Sequence, residues 1–252
     1  MSSLEIRGTP VRAYWTGIAD GDLAYLKLGR LDPSLAGLIG LDSSAREWKL
    51  SRIRQVHGGD VVVDFATSGE AAVYAGHAVY EEDPPEVIAA KEDAPIPEGD
   101  AILSREHGNC LLIVTADCMS IALGSPEGIY GAVHAGWRGL LAGVVENAIG
   151  AMYVYGASRV VAAIGPSIGK CCYEFSHNDA LPLVGRYGES VISSNSTGKE
   201  TVDLHAAATQ AIEQSGAELF WRSEECTYCS GGYYSYRRGD GLSRQGMFVW
   251  RY

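Results

Sequence analysis

Three short, uninterrupted apolar runs constrain this chain most: CLLIVT (110–115), IYGAVH (129–134) and RVVAAI (159–164). Runs of this length suit strands buried in a core. Between the last two, Leu140, Leu141, Val144, Val145, Ala148, Ile149 and Met152 fall on one stripe at helical spacing, which predicts a helix from about Leu140 to Met152. A second amphipathic helix is predicted from about Leu204 to Gln214, and QGMFVWRY closes the sequence as a strand. Strands and helices mix without strict alternation. The expected fold class is therefore α+β, with layered mixed sheets and flanking helices in a single domain over residues 1–252, not a doubly wound parallel sheet.

The 252 residues, 46% of them hydrophobic, suffice for one sizeable core. Glycine contributes 31 residues without any repeat, which implies tight turns and close backbone approaches. Residues 1–50 alternate apolar segments (Val11–Tyr14, Ala24–Leu28) with turn residues, and RIRQVH and DVVVDF predict a strand on each side of a Gly-Gly turn. From Glu81 to Asp100 the chain is acidic and proline-rich, as expected of a long surface connection. A net charge of −11 repels phosphate backbones and anionic membranes, so neither nucleic acid nor membrane is an expected partner. A local basic pocket for a small anion is still compatible with it. No apolar run approaches the roughly 18–20 residues of a membrane span, and MSSLEIRGTP lacks the pattern of a secretory signal. Six cysteines in a chain with a real core read as thiols of a reducing compartment. The expected location is the cytoplasm.

The apolar runs end in chemistry-bearing residues. Thr115-Ala-Asp117-Cys118 follows the first, His134-Ala-Gly-Trp-Arg138-Gly closes the second, and His57 stands in Gln-Val-His-Gly. Strands ending this way deliver side chains to a sheet edge, where ligands commonly bind. Spacing alone makes one cysteine and two histidines a weak metal pattern, since structural zinc sites show paired short spacings. Cys226-Thr-Tyr-Cys229 has redox or zinc spacing but no second CxxC to complete four ligands, which favours structural thiols. The neighbours Cys171 and Cys172 do not readily pair with each other. The glycines of GPSIG (165–169) are compatible with an anion-binding nest. Arg237, Arg238 and Arg244 form a basic cluster that fits either phosphate recognition or salt bridging.

Six strings, QVHG (55–58), DAILS (100–104), TADC (115–118), HAGWRG (134–139), GPSIGKCCYEF (165–175) and SYRR (235–238), stand in the order found in the YfiH-type laccase-domain, or polyphenol-oxidase-like, family. The chain resembles that family over roughly residues 10–252. The resemblance implies an α+β fold and a metal held by His57, Cys118 and His134. It also places Cys171 and Cys172 beside the active site, where a packing role is equally open. Three protein ligands leave a fourth position free, as at a catalytic zinc, which lowers the pKa of bound water to about 7. Thiolate and imidazole donors favour zinc, with copper able to compete. Asp117 either orients an imidazole, acts as a general base, or is a structural carboxylate. Arg138, near a helix start, either binds an anionic substrate group or supports its loop.

The sequence departs from the family near the start: Tyr14-Trp-Thr-Gly-Ile-Ala-Asp-Gly-Asp stands where an Arg-x-Gly-Gly string is usual, and Lys27-Leu-Gly replaces Asn-Leu-Gly. Near the end Ser243-Arg244 replaces Gly-Arg. The family's laccase label conflicts with the composition, because multicopper centres need many histidines, often as His-x-His, and this chain has 6 and no such pair. The resemblance instead implies a purine nucleoside enzyme: phosphorolysis of adenosine, inosine or methylthioadenosine, with adenosine deamination also open. Its partners are then a small purine nucleoside and phosphate. Two alternatives stay open, a Cys118–His134 cysteine hydrolase cleaving an amide in cell-wall precursor editing, and a non-catalytic metal-binding module.

Overall fold

The computed structural model describes residues 3–24, 29–41, 48–64, 70–74, 87–89 and 96–252. Most of Ala24–Leu28 and of the acidic connection Glu81–Asp100, with Lys27, lie outside the described residues.

The N-terminal part supplies strands β1 (Leu4–Glu5), β2 (Val11–Trp15) and β3 (Gly29–Arg30), helix α1 (Pro33–Leu38), and strands β4 (Lys49–Arg52), β5 (Val61–Asp64), β6 (Glu70–Tyr74) and β7 (Val87–Ala89). The central part supplies β8 (Ala101–Ser104), β9 (Asn109–Thr115), β10 (Met119–Gly124) and β11 (Tyr130–Ala135), followed by helices α2 (Trp137–Leu141) and α3 (Val144–Val154) and strand β12 (Val161–Ile164); the three apolar runs are β9, β11 and β12. The rest comprises α4 (His177–Tyr187), β13 (Ile192–Ser194), β14 (Glu200–Val202), α5 (Leu204–Gln214), β15 (Glu218–Arg222) and β16 (Gln245–Arg251).

Two large sheets result, a six-stranded one in the order β1-β2-β16-β9-β4-β3 and an eight-stranded one in the order β15-β12-β10-β11-β8-β5-β6-β7. Both are mixed, since β4–β9, β5–β8 and β12–β15 are parallel pairs among antiparallel ones. Alternate side chains explain why the runs read as uninterrupted apolar stretches. Val61, Leu103, Ile121, Val133 and Ile164 face a core shared with α3 and α5. Val62, Ile102, Ala122, Ala132 and Ala163 face Leu111, Ile113, Met247 and Val249 of the six-stranded sheet. That sheet's outer side, with Leu112, Phe248 and Trp250, packs under α1. A strand covered on both faces has no use for polar alternation. The architecture is the expected layered α+β arrangement.

Several local expectations differ. Of the two strands expected around the Gly-Gly turn, DVVVDF supplies β5, but RIRQVH is not a strand: β4 ends at Arg52 and the chain then crosses between the sheets, since β4 pairs with β9 and β5 with β8. The helix expected from Leu140 to Met152 is two helices, broken at Gly143, whose φ of 79° lies in the left-handed region. A Cβ there would also lie 2.9 Å from the Arg186 guanidinium. The α5 helix runs from Leu204 to Gln214, as its periodicity predicts, with Asp203 accepting the Ala206 N–H as N-cap. Helix α4 carries Pro182 in its interior, which hides it from a periodicity reading. Among the described residues no helix is long and apolar enough to cross a membrane.

Candidate metal centre and its cleft

Strand β10 and strand β11 form a hairpin closed at Ser125–Gly128, where Gly128 N donates to Ser125 O at 3.0 Å. Its register sets Met119 opposite Ala135 and Ser120 opposite His134. Cys118, the residue before β10, therefore lies at the same end as His134. The sequence reading attaches Cys118 to the end of the preceding strand; the structure puts it at the start of the next one, and that hairpin supplies the proximity that spacing alone did not.

His57 arrives from the crossover between the sheets. Its backbone is fixed by the Asp100 carboxylate, which accepts the N–H groups of Val56 at 3.2 Å, His57 at 3.0 Å and Gly58 at 2.6 Å. The parallel pairing of β5 with β8 brings this carboxylate to the loop, because Val61 sits opposite Ala101. Asp100 is fully buried, and its Oδ1 also lies 2.7 Å from His134 Nδ1. Burial pushes its carboxyl up, yet His134 and the Gly58 and His57 N–H groups outweigh this and hold it below the usual carboxylate range. No role for Asp100 is visible in the sequence. Its signals are its place at the head of the string DAILS and a carboxylate set directly before an apolar strand, where an unpartnered charge would be costly.

The donor atoms of His57, Cys118 and His134 all lie within 4.8 Å of one another. Cys118 Sγ is 3.9 Å from His57 Nε2, and the two imidazole rings meet edge-on with centroids 4.8 Å apart. Asp100 occupies Nδ1 of His134, which leaves Nε2 for the centre. A Cβ on Gly136 would stand 2.9 Å from Cys118 Sγ and 3.4 Å from His57 Cδ2, so a residue without a side chain is required beside the donors. Burial opposes ionisation of the Cys118 thiol, but His134 and His57 override it and bring it down to about 6. Burial likewise disfavours a charged His134, yet Cys118 and Asp100 raise it to about 9. A soft thiolate, two imidazoles and an outer carboxylate fixing one tautomer fit a zinc-like cation.

Among the described residues, the non-glycine residues with positive φ are His57 at 62° and Asp117 at 90°. Each such conformation costs roughly 1–3 kcal/mol and persists only where neighbours hold it. Asp100 holds His57. Asp117 is held by its own carboxylate, which accepts the Thr227 hydroxyl at 2.6 Å and the Arg237 N–H at 2.7 Å, while its carbonyl accepts the Ile168 N–H. The imidazole-orienting contact made by a carboxylate is therefore that of Asp100, and Asp117 supports the turn that presents Cys118. The GPSIG amides are likewise engaged, Ile168 N by Asp117 and Gly169 N by Cys226 Sγ.

A cleft of about 620 Å³ opens over the three donors, and Asp117, Arg138, Trp137, Tyr173 and Tyr236 line it. Arg52, Arg54, Arg237 and Arg244 line it too. In a protein of net charge −11 this is a concentrated basic surface. Arg54 pairs with Glu98. Arg138 lies over the Trp137 ring at 4.3 Å and Arg237 over the Tyr173 ring at 4.9 Å. Arg244 donates to the Gly241 and Ser243 carbonyls. The helix in whose first turn Arg138 stands is only five residues long. Of the basic cluster read from the sequence, Arg238 turns away, pairing with Asp240 and donating to the Thr227 and Tyr228 carbonyls. Tyr173 and Tyr236 fall within the strings GPSIGKCCYEF and SYRR without being distinguished there, and Arg52 carries no sequence signal.

The arrangement is that of a basic, aromatic cleft over a His-Cys-His group on layered mixed sheets. The chain belongs to the family described as multi-copper polyphenol oxidoreductase laccase, whose pattern matches residues 39–252. It is 31% identical over 250 residues to a Streptomyces griseus protein named purine nucleoside phosphorylase ORF3, covering 94% of this chain and 91% of the relative. A protein of an unknown prokaryotic organism named adenosine deaminase RL5 is 31% identical over 147 residues, 55% of this chain and 56% of that one. Among solved structures, a Neisseria meningitidis protein superimposes with a TM-score of 0.71 at 21% identity, covering 100% of this chain and 98% of its own. That likeness confirms the fold.

Proposed function

We propose that this chain is a metal-dependent purine nucleoside phosphorylase that also deaminates adenosine. The observation that carries the reading is the convergence of His57, Cys118 and His134 within 4.8 Å beneath an arginine-lined cleft. The names of the relatives supply the substrate class. His57 Nε2, Cys118 Sγ and His134 Nε2 would hold zinc, with copper the competitor. A divalent cation held there would supply Lewis acidity.

The remaining chemistry falls to the chain's own residues. Arg138, Arg237 and Arg244 bind phosphate, and Trp137, Tyr173 and Tyr236 provide ring faces and edges for a purine. The cleft volume is within the range of small-molecule sites. In phosphorolysis a phosphate oxygen bonds to the ribose anomeric carbon as the C–N bond breaks, and the base leaves with the electron pair and takes up a proton. In deamination water adds to the amino-bearing purine carbon and ammonia leaves. Asp117 is a positioning residue in this scheme, fixing Cys118 on one side and Arg237 on the other. A cytoplasmic enzyme of one domain is the reading, resting on six cysteines that suit a reducing compartment.

A second reading has its own support. Cys118, His134 and Asp100 form a thiol–imidazole–carboxylate series, with the thiol brought down to about 6, as a cysteine nucleophile requires. Incubating zinc-loaded protein with adenosine, inosine and methylthioadenosine, with and without phosphate, separates the readings. Phosphate-dependent release of free base supports phosphorolysis. Equal release without phosphate replaces it by hydrolysis, and full activity after complete metal removal favours the cysteine nucleophile.

A further inference from the structure

Four of the six cysteines meet at a second place. Cys171 and Cys172 lie in the loop after β12, and Cys226 and Cys229 in the loop after β15. These strands are parallel neighbours, so their outgoing loops leave the sheet side by side. Ser167 and Cys226 extend the pairing as an isolated parallel bridge, with Thr227 N donating to Ser167 O at 3.0 Å. The sequence shows no second CxxC. The structure supplies the missing pair as two adjacent residues from a loop some 55 positions earlier, a spacing no zinc-ribbon pattern contains.

All four Sγ atoms lie within 4.8 Å of one another, and those of Cys171 and Cys229 are 3.8 Å apart. Four sulfurs around a tetrahedral ion at about 2.3 Å stand about 3.8 Å from each other, whereas a disulfide needs about 2.05 Å. Cys226 Sγ accepts the Gly169 N–H at 3.2 Å, which ties the two loops together at the sulfur cluster. A Cβ on Gly169 would stand 3.3 Å from Cys171 Sγ and 3.2 Å from Cys226 Cβ, so the backbone approaches the sulfurs as closely as a glycine allows.

We propose that Cys171, Cys172, Cys226 and Cys229 bind a second zinc ion with a structural role, separate from the His57 centre. Binding exchanges thiol protons for the cation, with no change of oxidation state. Four thiolates are soft donors and leave no open position, which is the pattern of a structural site. The ion staples together two loops that form a cleft wall. Tyr173 follows Cys172 directly, Thr227 holds Asp117, and Arg238 binds the Thr227 and Tyr228 carbonyls. This assignment does not depend on the reading of the first centre.

The test counts zinc and thiols in the full-length chain. His57→Ala leaves all four cysteines untouched and should retain about one zinc per chain, against about two in the wild type. Cobalt loaded into this variant should show thiolate-to-metal charge-transfer absorption. Cys226→Ser with Cys229→Ser should lose one ion, and the milder Cys171→Ser, at an exposed position, should weaken its retention against a chelator. In the wild type the exposed Cys171 and Cys229 thiols should react with a disulfide reagent much faster after chelation than before. A folded, zinc-free His57→Ala protein overturns the proposal, as does a Cys171–Cys229 disulfide in unreduced native protein or thiol reactivity indifferent to chelation. If wild type and His57→Ala each hold one zinc that is lost in the cysteine variants, this site stands and the first centre falls.

Discussion

Asp100 Oδ1 lies 2.7 Å from His134 Nδ1, and the same carboxylate receives the backbone N–H groups of Val56, His57 and Gly58. One buried group thus sets the tautomer of one proposed ligand and the backbone position of another. Outer contacts of this kind fix ligand orientation and typically change metal affinity 10–100-fold when lost. Their loss also exposes the buried donors they satisfied.

Asp100→Asn tests this directly. An amide puts an NH₂ in one of the two oxygen positions: in place of Oδ2 it faces the Val56 and Gly58 N–H groups and removes their acceptor, or in place of Oδ1 it faces the His57 N–H and His134 must accept at Nδ1. In the second case the proton moves to Nε2 and the nitrogen facing the centre is blocked. Zinc affinity at the His57 centre should fall about 10–100-fold, with a stability loss of about 1–3 kcal/mol. Competitive zinc titration and thermal melting measure the two effects. Unchanged affinity would remove Asp100 from the centre.

Zinc binding at this centre should release protons in a pH-dependent way. Without a cation, Cys118 titrates at about 6 and His134 at about 9, so between these values the pair is thiolate and imidazolium. Ligation needs a neutral imidazole, and the His134 proton must leave. The expected release is about one proton at pH 7.5, declining above about 9 and rising toward two below about 6 as Cys118 also arrives protonated. The signs for metal-free stability follow. The raised His134 contributes fully below its unfolded value and loses the contribution as pH rises through about 9, whereas the depressed Cys118 loses its contribution as pH falls through about 6. Calorimetry in buffers of different ionisation enthalpy, comparing wild type with His57→Ala, isolates the protons of this centre. A pH-independent count between 5 and 10 would contradict the assignment of these two groups.

Much of this centre is legible in the sequence, and what is not has a common cause. Short apolar runs announce buried strands, and the strings around His57, Cys118 and His134 mark the donors by resemblance. Strand β10 escapes a reading that assigns TADC to the strand before it, so the hairpin joining Cys118 to His134 is not visible. Asp100 matters because β5 and β8 run parallel, and the cysteine group forms because β12 and β15 do. Local spacing carries no trace of either non-local pairing. Arg138 and Arg237 share a cleft for the same reason, although they are far apart in sequence.

Arg138→Ala should separate binding from folding. Its guanidinium lies over the Trp137 ring and, among the described residues, forms no ion pair. Its charge is available to a substrate anion, whereas that of Arg54 is already met by Glu98. Losing a charge-assisted contact of about 1.5–3 kcal/mol predicts a rise of roughly 10–100-fold in the apparent KM for phosphate. The melting temperature should move little, since an exposed substitution of this kind usually stays within about 0.5 kcal/mol. Arg54→Ala should raise the phosphate KM less. Steady-state kinetics at varied phosphate decides between them, and an unaltered phosphate KM in Arg138→Ala would move the anion site to Arg237 and Arg244.

Cys118→Ala distinguishes the two chemical readings of the site. As a metal ligand, Cys118 supplies the thiolate of the donor set, and its removal leaves two histidines and a weaker centre. As a nucleophile, it is needed for turnover while the two imidazoles remain in place. Both readings predict an inactive protein, so activity alone decides nothing. Zinc content does, measured with the cysteine loops intact. The ligand reading predicts that Cys118→Ala loses the same ion as His57→Ala, with a circular dichroism spectrum close to wild type. The change takes place beside Gly136, in a half-open position at the cleft floor, where the small cavity it leaves has access to solvent. An inactive variant that keeps its full zinc complement supports the nucleophile instead, and trapping of wild-type Cys118 by an electrophilic substrate analogue would then be expected. A variant that is active and zinc-replete would sink both readings.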